Sequence, residues 1–348
     1  MIVIVFLGTI YQGDLGLHMT QKIYFSSWVH WIYFIPLPAG RLLMVVMFIN
    51  LCALSLRKSL WQYKKSGILI VHFGALLLLF GGGVTAYFSY EGRMTIKEGN
   101  SSNYIEDYFT KELAIISSDS TSTAFSEDQL FSSNTLTFNH NSSSFDIEIL
   151  SFLVNSKPIK RLEGCQECKG KFQSYQLVEL KHQKEFEQNN SAVIFEIKGI
   201  DDVTDGVYAS MIFENENNSI DFSGDPLKII LRPKRTLIPF SIKLVDFKEV
   251  LHPGTDIAKS YSSDVILNTG ELNRDVVISM NEPLRHRDYT FFQAAFNRAD
   301  NTEYSTLAVV KNYGRLFPYI SSIVMCIGLL LHLIITFLSR LSRKKAKQ

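Results

Sequence analysis

The sequence predicts an integral membrane protein with four transmembrane helices and one large β-rich extracytoplasmic domain. Residues 67–88 and 316–338 form apolar runs without a charged side chain. Because the apolar core of a bilayer is about 30 Å thick and needs about 20 helical residues to cross it, each run is long enough to span. The polar stretch between them alternates apolar and polar residues over short runs, a period that is typical of β-strands.

Two shorter apolar stretches precede these runs, at residues 42–56 and 1–11. The stretch at 42–56 is slightly short and would cross with local thinning of the bilayer. The stretch at 1–11 reaches only about 16 Å as a helix, and we interpret it as the end of a transmembrane helix whose beginning is missing. A signal peptide is the alternative, but no basic region precedes this stretch and no small-residue cleavage site follows it.

The bulk composition hides this organisation. The 348 residues are 46% hydrophobic and carry a net charge of +1, values that suit an ordinary soluble protein. These averages mislead because the apolar residues are concentrated in the four stretches. No nucleic-acid partner is expected.

Basic residues next to the apolar stretches predict the orientation of the chain. The loop between the second and third stretches contains Arg57, Lys58, Lys64 and Lys65. The tail contains Arg340, Arg343, Lys344, Lys345 and Lys347. Basic flanks stay in the cytoplasm, so the domain is expected on the extracytoplasmic side of the membrane. The predicted units are a membrane unit at 1–88, the domain at 89–315, the last helix at 316–338 and a basic cytoplasmic tail at 339–348.

The domain at 89–315 is predicted to be a β-sandwich or an open barrel. Runs such as SFDIEIL, AVIFEIKG and PFSIKLVDF are rich in β-branched and aromatic residues, and turn signals such as SGDP and HPGTD separate them. No amphipathic helical stretch of useful length competes with these strands. The Ser/Thr/Asn-rich segment Ser117–Ser144 is predicted to be a long, poorly ordered excursion.

The most informative single residue is His72, which lies inside the third apolar stretch, about seven residues after Lys65. This spacing places it about 10 Å from the cytoplasmic end of a helix. Ionisable residues at membrane depth are costly and usually functional, and a neutral imidazole is a good ligand for haem iron. The alternative is a hydrogen bond to the backbone or a hydroxyl group of a neighbouring helix.

His332 is a second, weaker haem candidate. It lies in the last apolar stretch about eight residues before Arg340, which predicts a depth of about 12 Å from the same face. Two imidazoles at one depth could share one iron, hydrogen-bond to each other, or face different neighbours. On its own His332 is more simply explained by packing or by a hydrogen bond.

Three glycines predict a packing surface on the third helix. Gly67, Gly74 and Gly81 recur at a spacing of about seven residues, so they lie on one face and let another helix approach closely. His72 is about 200° around the helix from Gly74 and is expected to point to a different surface. A porphyrin bound there could place its propionates near the basic loop, although the orientation signal explains those charges without a ligand.

Cys165 and Cys168 form the motif GCQEC in the predicted domain. A CxxC pair can be a redox pair, half of a zinc site or a haem attachment motif. Lysine rather than histidine follows Cys168, which argues against haem attachment, and the region lacks the βαβ unit of thioredoxin-type pairs. A local disulfide is the plainer interpretation in an oxidising compartment, and thiol exchange with a client protein is the alternative.

Five further residues have less specific signals. His30, in the motif SSWVHW, is a candidate exterior haem ligand, while an aromatic belt at the membrane interface explains Trp28 and Trp31. Cys52 and Cys326 lie within apolar stretches and are expected to pack.

Seven stretches and the order of the elements together resemble a known family. The stretches are GTIYQGDLG, IPLPAG with FINL, KSGILIVHFGALLLLFGGGVTAYF, EGRMTIKEGNSS, DFKEVLHPGTDIAKSYSSDVIL, VVISMNEPLRHRDYTFFQAAF and KNYGRLFPYISS. In these stretches, and in having three membrane helices, an exterior domain and a fourth helix, the chain resembles the ResB (CcsB-like) family of cytochrome c biogenesis proteins. The resemblance covers about half of the chain and leaves the region from about Asp119 to Pro233 without a match.

This resemblance implies a haem-handling and haem-export subunit of the system II cytochrome c synthase, rather than an enzyme on its own. Such proteins pair with a CcsA (ResC)-type membrane protein, and the complex passes haem b outward for attachment to CxxCH thiols of apocytochrome c. The family's membrane-embedded haem-ligating histidine maps onto His72, and its second ligand is expected from the partner. The chain lacks the partner's tryptophan-rich loop, and its GCQEC motif departs from the family pattern.

Two other classes of function remain open from the residues alone. One is a membrane-anchored binding or sensing protein whose β-rich domain recognises a ligand and whose histidines only pack. The other is a thiol oxidoreductase that acts through Cys165 and Cys168. Haem content separates the synthase subunit from both.

Overall fold

The computed structural model describes residues 1–345, except residues 33, 120, 133–134, 141–142, 163, 213–217, 223, 256–257, 271 and 300–301. Lys347 of the predicted tail lies outside the described residues. Within them the chain forms a group of helices and a β-rich domain. The predicted combination of apolar helices with a β-rich domain is therefore confirmed.

The helices are α1 (Ile2–Thr20), α2 (Gly40–Ser55), α3 (Ser66–Phe88), α4 (Glu127–Ser132) and α5 (Phe317–Lys345). Among the described residues, the helical segments that are long and apolar enough to cross a membrane are Ile2–Phe25, Tyr63–Phe88 and Phe317–Leu341. α2 is shorter, with 16 residues. α5 continues well past residue 338, so the beginning of the predicted tail is helical.

α1 is not a straight rod, because Gly16 interrupts it with non-helical backbone angles (φ 78°, ψ 168°). The residues after Gly16, including a π-helical turn at Gln21–Phe25, fold back along the residues before it. Phe25 lies so close to Gly8 that an added Cβ on Gly8 would be 2.9 Å from its ring. The same two residues would be about 25 Å apart along a straight helix.

We call this antiparallel pair, residues 2–25 with Gly16 at its tip, the α1 hairpin. Tyr11 and Tyr24 stack across it with ring centroids 5.6 Å apart. The predicted helix at 1–11 is only part of the first arm, and the residues after it up to Phe25 are helical as well, apart from the turn at Gly16. The return arm holds because Thr20 and Tyr24 are buried, with 3% and 2% of their surface exposed.

α3 and α5 pack along the predicted glycine face, which we call the seam. An added Cβ on Gly67 would lie 2.5 Å from the carbonyl oxygen of Gly328 and 2.5 Å from the backbone nitrogen of His332. An added Cβ on Gly81 would collide with Phe317. The backbones of the two helices therefore touch, and the prediction that these glycines serve helix packing is confirmed.

The strands are β1 Val29–Ile32, β2 Ile35–Pro38, β3 Tyr90–Lys97, β4 Ser101–Ile116, β5 Ser122–Ser126, β6 Thr135–His140, β7 Ser143–Leu153, β8 Ser156–Lys160, β9 Tyr175–Glu179, β10 Ala192–Lys198, β11 Gly206–Met211, β12 Asn218–Phe222, β13 Asp225–Leu251, β14 Ala258–Asn268, β15 Asn273–Ser279, β16 Leu284–His286, β17 Tyr289–Ala299 and β18 Thr302–Lys311. They pair antiparallel. The largest sheet has the order β15-β14-β13-β4-β3-β18-β17-β16, with β12 beside β13 and β5 beside β4. A second sheet has the order β11-β10-β7-β6, and β1–β2 and β8–β9 form separate hairpins.

In the part of the chain that the structure describes, the β-domain has two large hydrophobic cores and a small cluster around Cys168. The first packs the four-stranded sheet against β12 and the beginning of β13, and it buries Phe145, Phe195 and Leu227. The second includes Phe240 and Phe291 and lies within the large sheet, which curls so that β15 contacts β16 and β17. The long strand β13 supplies side chains to both cores and joins a sandwich-like lobe to a lobe shaped like an open barrel.

The segment Ser117–Ser144, predicted to be a poorly ordered excursion, contains β5, α4 and β6 instead. Leu130, Leu136 and Phe138 from this segment are buried in the first core. These few apolar side chains hold an otherwise polar segment against the domain, and the prediction of poor order is wrong for the residues that the structure describes.

The β-domain continues directly from the helices of the seam. β3 begins two residues after α3 ends, and β18 ends shortly before α5 begins. β3 and β18 pair with each other, with Tyr90 opposite Lys311. Between helices and strands, Thr85 Oγ1 donates a hydrogen bond to Asn312 Oδ1 (3.1 Å), and the same oxygen accepts one from the backbone nitrogen of Gly314 (2.7 Å).

Replacing Gly67 by alanine is expected to destabilise the α3–α5 pair, because the new Cβ would meet backbone atoms that cannot move aside. Overpacking of this kind costs about 1–3 kcal/mol. The measurement is the midpoint of thermal unfolding of the purified chain in detergent. Gly82→Ala is the matched control, because an added Cβ on Gly82 meets nothing within 4 Å and alanine favours helix. Equal midpoints for the two variants would contradict the role of the seam.

Candidate functional site

His72 lies in the second turn of α3. The start of that helix is fixed by the preceding 3-10 turn, where Ser66 Oγ donates a hydrogen bond to the carbonyl of Tyr63 (2.9 Å). The ring of His72 is half-buried, and its Nδ1 atom is buried without a hydrogen-bond partner among the described residues. Leaving such an atom unpaired costs about 1–3 kcal/mol. The interhelical hydrogen bond that could have explained His72 is therefore not found in the part of the chain that the structure describes.

His72 occupies a different face of α3 from the seam. It lies about 200° around the helix from Gly74, which packs on α5. Gly83, about three turns further along, falls on the same face as His72. An added Cβ on Gly83 would meet nothing within 4 Å. The His72 face is therefore open towards the end of α3 that leads into the β-domain.

The structure does not place His332 at the depth of His72, which differs from the prediction. Contacts across the seam set the register, with Gly67 against His332 and Gly74 against Met325. His72 is thus nearly level with Met325, which is about 10 Å from His332 along α5. The Nδ1 atom of His332 is also buried without a partner among the described residues.

Three cationic side chains lie at the same end of α3 as His72. Lys64 and Lys65 belong to the 3-10 turn that precedes α3, and Arg57 follows α2. No group of three His, Cys, Asp or Glu side chains that could hold a metal ion occurs among the described residues. The arrangement offers one imidazole, an apolar helix surface and cations about 10 Å away. It can therefore supply one nitrogen ligand and, about 10 Å away, positive charge.

Cys165 and Cys168 are joined in a disulfide, with their Cα atoms 5.3 Å apart. Cys168 is 3% exposed and packs against Phe172. The loop is fixed to β11, because the backbone nitrogen of Lys169 donates to the carbonyl of Val207 (2.8 Å). The disulfide closes a short local loop, and its buried sulfur is poorly accessible to the thiol of another protein. This geometry favours a structural role for the disulfide.

The remaining sequence candidates lie in other elements. His30 is in β1, and its ring centroid lies 4.7 Å from that of Tyr24 at the base of the α1 hairpin. Cys52 is half-buried on α2, and Cys326 is exposed on α5. The structure does not bring these residues together with one another into a common site.

Sequence reasoning missed a cleft of about 510 Å³ between the α1 hairpin and the β-domain. His18, Phe109 and Lys184 are among the residues that line it, and none of the predicted site residues does. No local pattern could have revealed this cleft, because its walls come from a helix and from loops that are far apart in the sequence.

A family model described as the ResB-like family matches residues 62–153 and 213–302, about half of the chain. The first range contains α3 and therefore His72. The second runs from β12 to β17. No curated protein matches the chain.

Removing the disulfide through the double change Cys165→Ser and Cys168→Ala is expected to loosen its loop while the domain stays folded. Closing so short a loop contributes about 2 kcal/mol, and alanine at 168 avoids burying an unpaired hydroxyl group. The measurements are the rate of tryptic cleavage after Lys169 and the unfolding midpoint, with Cys52→Ala as the control. Cooperative unfolding of the whole domain in the double variant would show that the disulfide stabilises more than its own loop.

Proposed function

The chain belongs to the ResB-like family, and from that premise we propose that it is the haem-handling and haem-export subunit of a system II cytochrome c synthase. Membership of this family implies involvement in cytochrome c biogenesis. The finer proposal rests on His72, a half-buried imidazole within the first matched range, on the face of a membrane-length apolar helix that does not pack on α5. Haem b is the cargo in this proposal, and it is bound without a covalent bond.

In this proposal four segments of the chain lie in an inner (plasma) membrane, namely the beginning of α1, α2, α3 and α5. Basic residues support this orientation, because they cluster between α2 and α3 and again at the end of α5. The β-domain then lies on the periplasmic side. Local thinning of the bilayer accommodates the short helix α2.

His72 binds the cargo in this proposal by giving one imidazole nitrogen to the haem iron as an axial ligand. The apolar surface of α3 around it keeps water from the iron and supports the porphyrin plane. Lys64 and Lys65 sit where they can attract the carboxylates of such a ligand. Gly83 leaves the same face unobstructed towards the β-domain, which supports a path for the cargo in that direction.

The second axial ligand comes, in this proposal, from a CcsA (ResC)-type membrane partner. His332 lies about 10 Å from the level of His72, which makes a single iron shared by these two residues unfavourable. The His72 face points away from α5, and in this proposal the second membrane protein approaches α3 from that side. The β-domain would hold apocytochrome c or the partner above the membrane.

The alternative of a thiol oxidoreductase is less well supported, because Cys168 is buried in a small hydrophobic cluster. A membrane-anchored binding or sensing protein is the remaining alternative class. Haem content in the purified chain distinguishes the proposed function from both.

Reporter fusions test the proposed orientation. A reporter that is active only outside the cytoplasm should be silent when fused after Gln348 and active when inserted near Ser126, because the basic flanks keep the end of α5 inside. Activity is compared at equal expression, measured by immunoblot. The reverse pattern would overturn the proposed arrangement.

His72→Ala is expected to abolish haem co-purification and formation of c-type cytochromes while the protein still inserts, because one alanine leaves the span apolar. The measurements are the optical absorption spectrum of the chain purified with its partner and a haem stain of cellular c-type cytochromes. Normal haem content together with normal levels of c-type cytochromes in this variant would contradict the assignment of His72 as a haem ligand.

Two further variants control for loss of packing. His72→Gly supplied with external imidazole should recover part of the cytochrome c assembly, because free imidazole can fill the vacated position. His332→Ala removes an imidazole of the same kind from the neighbouring helix and should reduce haem retention less. Equal losses in His72→Ala and His332→Ala would contradict the separate role proposed for His72.

A further inference from the structure

The tip of the α1 hairpin touches the β-domain. Lys184 Nζ donates a hydrogen bond to the carbonyl oxygen of Gly13. The ring of His18 stacks on the ring of Phe109, with the centroids 3.7 Å and the planes 16° apart. Gly16, at the turn of the hairpin, lies directly against the backbone of Lys184. These contacts join the hairpin to two separate segments of the domain.

Only glycine fits at the turn of the hairpin. Gly16 has a φ of 78°, which strains any residue with a side chain, and an added Cβ would collide with the carbonyl group of Lys184. Gly13, one turn earlier on the same arm, has open space around it and no such backbone angle. The two glycines therefore differ in the contact with the domain and form a natural pair for comparison.

Phe109 reaches the hairpin because β4 bulges at this point. The pairing of β4 with β13 shifts register between Glu106 and Lys111, so the residues between them leave the ladder. Asp107 Oδ1 stabilises the bulge by accepting a hydrogen bond from the backbone nitrogen of Phe109 (2.8 Å). The bulge lies on the strand that, with β13, connects the two lobes of the domain.

Lys111 and Phe186 hold Phe109 in place from inside the domain. The ring of Phe186 packs edge-on against Phe109, with centroids 5.6 Å apart. Lys111 Nζ lies 5.2 Å from the centroid of Phe186 and donates a hydrogen bond to the carbonyl of Phe109 (3.3 Å). Lys111 is 6% exposed, and this burial lowers the pKa of its ammonium group. The contact surface for His18 is therefore built into the domain.

The base of the hairpin rests on α2. Gly40, the first residue of α2, lies so close to the backbone of Phe25 that a side chain there would collide. The return arm of the hairpin thus extends from the β-domain to the first residue of α2.

We propose that the α1 hairpin is a strap that fixes the angle of the β-domain relative to the membrane helices. The covalent connections of the domain, α3 to β3 and β18 to α5, lie side by side because β3 and β18 pair. Two adjacent connections leave the domain free to tilt about the line that joins them. The contact of His18 and Gly16 with the domain removes this freedom. The strap goes beyond the proposed function and does not require haem binding.

Cross-linking in the full-length chain tests the strap. Leu17→Cys and Glu185→Cys place two thiols on opposite walls of the cleft, in a background where Cys52 and Cys326 are alanine, and a short bismaleimide joins them. The added change Gly16→Ala should lower the cross-linking yield at least about fivefold and speed tryptic cleavage after Lys184 about tenfold, because it combines backbone strain with a collision. Gly13→Ala should leave both values unchanged.

Substitutions of His18 complete the test without straining the backbone. His18→Phe should keep the cross-link, because a phenyl ring can stack on Phe109, whereas His18→Ser should weaken it as Gly16→Ala does. Haem content reports separately on the proposed function and should be the same in all four variants. Equal cross-linking and equal cleavage for Gly16→Ala and Gly13→Ala would refute the strap, whatever the haem content.

Discussion

The close packing of α3 on α5 is the constraint on which the rest of the structure depends. Between helices in a bilayer there is little hydrophobic driving force, so association relies on close backbone approach and dispersion contacts. Gly67 and Gly81 remove the side chains that would keep the helices apart. The helix pair then continues as the strand pair β3–β18. Because a single residue separates α3 from β3, a shift of α3 along the seam would also strain the pairing of β3 in the sheet, so the seam and the sheet support each other's register.

The sequence predicted the helices of the seam because their apolar runs are long and uninterrupted. It did not predict the α1 hairpin, since Gly16 follows the apolar run at 1–11 and a glycine there is compatible with a helix as well as with a turn. The hairpin forms because Tyr24 is buried against Tyr11 and Gly16 against Lys184. No local sequence pattern identifies the partners in these contacts. The segment Ser117–Ser144 was mispredicted for a related reason. Its polar composition outweighs a few apolar residues that tertiary packing uses.

The candidate site, too, could be predicted only in part from the sequence. His72 could be found from the sequence because an ionisable residue in an apolar run has few structural explanations. Its relation to His332 could not be found by counting from Arg340, because α5 continues helically to Lys345 and Arg340 does not mark its end. Helix register depends on which residues are small enough to touch. The contact of Gly67 with His332 therefore determines the relative depth of the two histidines.

The seam also explains why His72 takes no part in the packing of α3 on α5. α3 packs on α5 through its glycine face, so the residues on the opposite face, including His72, make no contact with α5 that the helix pair depends on. A buried imidazole nitrogen without a partner raises the free energy of the isolated chain by about 1–3 kcal/mol. A metal ion or a hydrogen-bond donor that bonds to this nitrogen would recover part of that free energy, in addition to the free energy of its other contacts. The glycine seam and the unpaired histidine are thus complementary, since the seam stabilises the helix pair without using the face on which binding would occur.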